Sequence, residues 1–210
     1  MFITFEGVEG SGKTSVLKEL ILRLSSDYPG LVITTREPGG TKISEQIRHI
    51  ILDKDNHELD SRAEALLFAA ARRQHIKEVL LPARQAGKII LCDRYIDSSL
   101  VYQGVARNIG IKEVYKVNLF ATEGFMPDLT LLFDIEPEKG MERIAKNQHR
   151  EVNRLDLEKL DFHKKIREAF LALANSEASR FVVIDAAKPF LEVIETSYQV
   201  IKTRLTQHGY

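Results

Sequence analysis

The sequence predicts an α/β fold in three layers: a parallel sheet of five strands flanked by helices on both faces. Three observations lead there. Five short apolar runs recur, FITF (2–5), LVITT (31–35), KIILC (88–92), LTLLF (129–133) and FVVI (181–184). They are continuous rather than alternating, as in strands covered on both faces, which favours parallel pairing. Longer stretches of helical periodicity separate them, and a glycine-rich turn, GVEGSGKT (7–14), joins the first run to the first helical stretch.

Taken in order, FITF opens the sheet and the helix after the glycine turn covers about 13–26. LVITT follows, then a helix at 42–52. Asp60 and Ser61 precede AEALLFAAARRQHIKEVLL, whose Ala and Leu content favours a long helix over 60–86, bent or broken near its end by Pro82. After KIILC comes an interrupted helical stretch at 97–123, then LTLLF, helices at 137–147 and 157–177, FVVI, and a last helix at 189–207. By composition alone KNQHREVNR, 146–154, reads as a solvated connector. With 210 residues, 44% of them apolar, the chain is long enough for one substantial core and short for two, so a single domain over 1–210 is expected.

Thirty basic residues balance thirty acidic ones. The broad positive field of a protein that grips nucleic acid by its backbone is therefore missing, no nucleic-acid partner is expected, and any basic site must be local. Cys92, the single cysteine, ends an apolar run; it reads as a small buried residue in a reducing compartment. The N-terminus lacks a basic n-region, and no stretch approaches the ~18 apolar residues of a membrane span. A cytoplasmic chain with no membrane partner is the expectation.

Gly7, Val8, Glu9, Gly10, Ser11, Gly12, Lys13 and Thr14 satisfy G-x-x-x-x-G-K-T between a strand and a helix, where that motif belongs. Glycines let successive backbone N–H groups converge on phosphate oxygens, and the following helix adds its dipole. Lys13 would reach the β- and γ-phosphates of ATP and the Thr14 hydroxyl would coordinate Mg²⁺. The glycines run G-x-x-G-x-G, which is not the dinucleotide order. Asp93 follows KIILC at the mouth of the sheet, placed to hold the metal directly or through water, or to cap the next segment.

Neither a guanine-reading N-K-x-D stretch nor a transporter-type S-G-G signature occurs. Arginines stand instead beside motif ends: Arg36 with Glu37 in REPGGT, Arg48 in the next helix, Arg72 four residues after Phe68, and Arg94 after Asp93. Guanidinium forks suit a phosphate and Phe68 offers a flat surface to a base. Singly, each arginine reads as a surface residue and Phe68 as core; together they favour a nucleotide kinase with a second phosphorylated substrate.

The ordered set FEGVEGSGKT, TTREPGGT, LLFAAARRQH, DRYIDSSLVYQG, PDLTLLFDI and NRLDLEKLDFHKK resembles the thymidylate kinase family over nearly the whole chain. The resemblance implies a P-loop nucleoside-monophosphate-kinase-like fold with strand order 2-3-1-4-5, a homodimer, and Mg²⁺-dependent phosphoryl transfer from ATP to dTMP without a phosphoenzyme. It assigns Glu9 to the acceptor's deoxyribose 3′-hydroxyl, which accounts for an acid inside a phosphate loop. Arg36, Glu37 and Pro38 would form a loop over dTMP, with Arg48 and Arg94 near its phosphate. Phe68 would stack on thymine, Arg72 would bond a base carbonyl, Ser99 and Gln103 would meet the base edge, and Tyr102 would crowd the 2′ position.

Members of this family differ in carrying a basic residue just after the acid of the loop or in a lid over ATP. Gly10 fills the first location here, while Arg143, Arg150 and Arg154 surround the second, in a lid at about 144–156. The resemblance is therefore to the bacterial, lid-arginine type. Arg150 and Arg154 are expected near the transferring phosphoryl, alongside Lys13 and Arg94, and Arg143 at the lid base or beside adenine. A deoxynucleoside kinase, which would need a catalytic carboxylate, and a non-catalytic nucleotide sensor are the rival readings. Apolar helix faces around 65–80 and 100–120 fit a dimer interface or core packing equally well.

Overall fold

The structure is a computed structural model that describes residues 1–146, 154–157 and 159–210. Five strands, β1 (Phe2–Glu6), β2 (Val32–Arg36), β3 (Ile89–Asp93), β4 (Leu129–Asp134) and β5 (Phe181–Asp185), make one sheet in the order β2-β3-β1-β4-β5. Every pairing is parallel.

Each strand extends one residue past the apolar run that marks it, and that residue is charged: Glu6, Arg36, Asp93, Asp134 and Asp185. Register brings these ends to one edge, with Arg36 opposite Asp93 and Asp134 opposite Asp185. Hydrophobic runs therefore stop where the covered sheet meets the ligand mouth, at the carboxyl ends of its strands. Coverage on both faces holds for β1, β3 and β4, whereas the edge strands β2 and β5 expose Thr34 and Val183.

Side-chain alternation splits the core. Ile3, Phe5, Ile89, Leu91, Leu129 and Leu131 point to one face. Against them pack α1 (Lys13–Asp27), α8 (Leu160–Ser176) and α9 (Phe190–Gln207), through Leu20, Ile166 and Ile201. Phe2, Ile90 and Cys92 point to the other face, with Leu80 and Tyr95. Cys92 is buried, as its sequence position suggests, and that burial pushes its thiol pKa up. On this second face Thr4 and Thr130 hydroxyls meet at 2.8 Å, and Arg180 binds both carboxylate oxygens of buried Asp97 at 2.7 Å.

The remaining helices are α2 (Lys42–Leu52), α3 (Ser61–His75), α4 (Leu81–Gln85), α5 (Ile96–Ser99), α6 (Ile111–Thr122) and α7 (Pro137–Lys146). Thr41 caps α2 by accepting from the Ser44 N–H, and Asp60 caps α3 by accepting from Arg62 and Ala63. The long helix expected over 60–86 is a composite. Between α3 and α4 runs a π-helical turn, Ile76–Leu80, where the Leu81 N–H reaches back to the Ile76 carbonyl just before Pro82, which has no N–H to give. A second π-helical segment, Leu100–Ala106, follows α5 and carries Tyr102 and Gln103. No helix among the described residues is long and apolar enough to cross a membrane.

Candidate active site

The turn after β1 wraps around its own lysine. Gly12, at φ 86°, takes the left-handed conformation that starts α1. Lys13 Nζ folds back to donate to the Gly7 carbonyl at 2.9 Å and the Val8 carbonyl at 3.1 Å. Burial, helped by the nearby Arg94 charge and opposed by Asp93, Glu9 and Glu6, lowers the Lys13 pKa to about 8. The Thr14 hydroxyl donates to Asp93 Oδ2 at 3.1 Å, joining the start of α1 to the end of β3.

Gly10 has a steric reason to be glycine. A Cβ there would lie 2.1 Å from the Gly140 carbonyl oxygen, and one on Gly140 would lie 2.6 Å from the Glu9 carbonyl oxygen. Helix α7 thus packs backbone to backbone on the loop and occupies the place a side chain at Gly10 would need.

Glu9 points away from the loop. Its Oε1 accepts from Arg94 at 2.9 Å, and the Tyr102 hydroxyl lies 2.7 and 2.8 Å from its two oxygens. Burial works against the Glu9 charge, but Arg94 first, then His163, Lys13 and Tyr102, override it and hold the carboxyl well below its usual range. Arg94 adopts a positive φ of 67°, uncommon for a side-chain-bearing residue. The turn is fixed from below by Glu6, whose oxygens accept from the Tyr95 N–H at 2.7 Å and the Ser98 hydroxyl at 2.6 Å. Burial, then Asp97, pushes the Glu6 pKa up to about 7, against Arg94, Ser98 and the Tyr95 N–H.

The residues after β2 form the opposite wall. Arg36 grips Glu45 through two contacts of 3.0 Å, and Arg48 donates to the Pro38 carbonyl at 2.8 Å. Glu37, before a cis peptide to Pro38, takes Arg72 Nε at 2.7 Å and His75 Nδ1 at 2.8 Å. Arg72 also donates to Ser99 Oγ at 3.1 Å and to Asn118. Gln103 donates to Glu64 at 2.7 Å.

A cavity of about 610 Å³ runs from the phosphate loop to Arg36, Arg48, Phe68, Tyr102 and Gln103, with Asp93 and Arg94 on its wall. Beside it, about 470 Å³ of space opens among Gly12, Val16, Ala186, Lys188 and Phe190. Arg143 borders both spaces and donates to the Ala186 carbonyl at 3.0 Å.

A phosphate loop facing a basic and aromatic pocket agrees with the comparisons to known proteins. The family model described as Thymidylate kinase matches residues 5–197. The chain belongs to the thymidylate kinase family. It is 54% identical over 200 residues to the thymidylate kinase of Ligilactobacillus salivarius, covering 95% of this chain and 96% of that one. To the thymidylate kinase of Clostridium novyi it is 57% identical over 194 residues, covering 92% and 94%. The crystal structure of thymidylate kinase from Ehrlichia chaffeensis superposes with a TM-score of 0.78 at 31% identity, covering 96% and 98%.

Of the positions the family resemblance singles out, the phosphate loop from Glu9 to Thr14, Arg36, Glu37, Pro38, Arg48, Phe68, Asp93, Arg94, Tyr102, Gln103 and Arg143 line the main cavity. Arg72 and Ser99 are buried behind its wall and bonded to each other. Arg154 stands apart: its guanidinium reaches the Ile51 carbonyl at 3.1 Å and Glu64, on the acceptor side rather than at the loop. Arg150 lies outside the described residues. Sequence reasoning missed Glu6, Ser98, His163 and Glu64. Glu64 had a readable signal, since it lies four residues before Phe68 and eight before Arg72, on the same helix stripe.

Proposed function

We propose that this chain transfers the γ-phosphoryl group of ATP to dTMP, giving dTDP and ADP for dTTP synthesis, with Mg²⁺ as its cofactor. The observation that carries this reading is a single cavity lined together by the phosphate loop with Lys13, by Arg94, and by Arg36, Arg48 and Phe68. Donor and acceptor are both anions, so the reaction asks for positioning and countercharge rather than covalent help. The acceptor phosphate is largely ionised at neutral pH, and a general base has no proton to remove.

In this reading loop 7–14 holds the ATP phosphates, and Lys13 exchanges its bonds to the Gly7 and Val8 carbonyls for phosphate oxygens. Arg143 stands at the lid base or beside adenine. Glu9, kept ionised by Arg94, accepts the acceptor's 3′-hydroxyl. Phe68 stacks on thymine; Arg72, Ser99 and Gln103 set the base edge; Tyr102 crowds the 2′ position. The Arg36, Glu37 and Pro38 loop covers dTMP while Arg48 and Arg94 take its phosphate.

The Thr14 hydroxyl and Asp93 carboxylate, 3.1 Å apart, form a hard-oxygen pair of the kind Mg²⁺ accepts with phosphate and water, and these two residues would hold it directly or through water. Bound there, the ion would neutralise charge on the transferring group. A lid at about 144–156 brings Arg150 and Arg154 toward the phosphoryl, for which Arg154 must leave Glu64. The chain works as one domain over 1–210, as a cytoplasmic homodimer with no nucleic-acid or membrane partner.

Measuring ADP release with ATP and Mg²⁺ against a panel of nucleoside monophosphates, with thymidine alongside, tests the reading. dTMP should be the preferred acceptor. No turnover of dTMP, or equal turnover of thymidine, would refute it.

A further inference from the structure

Glu64 is a carboxylate with no part in the proposed transfer, yet it is fully buried in the first turn of α3. Its Oε1 accepts from Gln103 Nε2 at 2.7 Å and lies 3.6 Å from Arg107 Nε, and its Oε2 meets the Arg154 guanidinium. Burying a charge is costly even when it is paired, so stability alone is a weak reason for its presence.

The chemistry of that contact fixes something on the cavity side. A carboxylate facing two guanidinium groups can only accept hydrogen bonds. Of the two ends of the Gln103 carboxamide, the NH₂ must therefore face Glu64. This holds without distinguishing oxygen from nitrogen by position, because the reversed amide would set carbonyl oxygen against carboxylate oxygen. Among the described residues no hydrogen bond uses Gln103 Oε1, and Gln103 lines the main cavity with Phe68 and Tyr102. The cavity is thus offered an acceptor and not a donor.

We propose that Glu64 is a positioning residue that sets base specificity: by holding the Gln103 amide nitrogen it turns the carbonyl toward the nucleobase and selects a pyrimidine whose ring nitrogen carries hydrogen. Thymine and uracil present such an N–H. Cytosine presents a lone pair at that nitrogen, which would oppose the Gln103 carbonyl in a site where an unmade hydrogen bond is expensive. Arg107, 3.6 Å from Glu64, keeps a countercharge beside the carboxylate when Arg154 leaves it for the phosphoryl. The inference rests on the reading that the base of a nucleoside monophosphate lies beside Phe68.

The test compares kcat/KM for dTMP and dCMP, with ATP and Mg²⁺, in the wild type, Glu64→Gln, Gln103→Met and the double variant. Glu64→Gln keeps the shape but can donate as well as accept, which frees Gln103 to turn over. Its dTMP-to-dCMP ratio should fall at least ~10-fold. Gln103→Met should lose the same selectivity, and the double variant no more than either alone. A ratio within ~2-fold of wild type in Glu64→Gln, with both substrates slowed alike, would reduce Glu64 to a structural role and overturn the proposal. Independent losses in the double variant would do the same. Should Glu64→Gln not fold, Glu64→Asp keeps the charge while withdrawing it from Gln103, and its ratio is judged by the same limits. A wild type that does not prefer dTMP sinks the functional reading itself, whereas a selective wild type with an unmoved variant sinks only the role of Glu64.

Discussion

Lys13 shows how one residue can be legible as chemistry and illegible as energetics. The motif names it, but only the structure shows the ammonium turned onto its own loop and depressed to about 8, by burial first and then by Arg94. Phosphate binding needs the protonated form. For the free enzyme, kcat/KM for ATP should therefore fall as pH rises through about 8. Bound phosphate supplies the negative charge that burial withholds, so the alkaline limb of kcat should lie higher than that of kcat/KM. Lys13→Arg, which does not titrate in this range, should lose the limb whatever its residual rate. Full pH profiles of both parameters check this, and a limb that survives in Lys13→Arg would assign it to another group. Glu9 is a similar case. Sequence marked it as an acid out of place among phosphates, while its partners Tyr102 and His163 come from elements that nothing in its neighbourhood announces.

At the scale of elements, apolar runs located all five strands; two began a residue early, at Leu31 and Lys88, and all stopped short of the charged last residues, which belong to the ligand mouth rather than to the core. The π-helical turns were invisible for a different reason. Ile76–Leu80 and Leu100–Ala106 have helix-like composition, and what distinguishes them is hydrogen-bond register set by packing. The contact between α7 and the phosphate loop is tertiary as well, and it reverses a propensity argument. Replacing glycine by alanine inside a helix ordinarily stabilises it by about 1 kcal/mol. In Gly140→Ala the new Cβ meets the Glu9 carbonyl at 2.6 Å, so either the loop or α7 must shift. The variant should melt lower than wild type, and a displaced phosphate loop should reduce kcat/KM for ATP by on the order of 10²-fold. Calorimetry and steady-state kinetics read the two effects; a higher Tm with normal kinetics would mean that the close approach is not maintained in solution.

For the whole molecule, helical periodicity could not say which apolar faces are core and which are surface, and the structure divides them. On α3, Ala65, Phe68 and Ala69 turn inward while Leu66 is 58% exposed. On α6, Val114 and Ala121 are buried while Ile111, Tyr115 and Leu119 are open and Phe120 is 88% exposed. These two helices pack on each other, and together they back the acceptor pocket, since Arg72 of α3 donates to Asn118 of α6. A two-fold homodimer built on this face would be self-complementary, each copy offering the same side chains. Phe120 is the natural anchor, because buried aromatic residues carry a disproportionate share of interface energy, often ~2 kcal/mol or more when truncated. Phe120→Asp places a new charge on that face in both copies. If the chain pairs through this face as proposed, the variant should sediment as a smaller species than the wild type at equal concentration and should raise the KM for dTMP more than that for ATP, because α3 and α6 back the acceptor pocket. A variant that sediments as the wild type does would move the interface to another face.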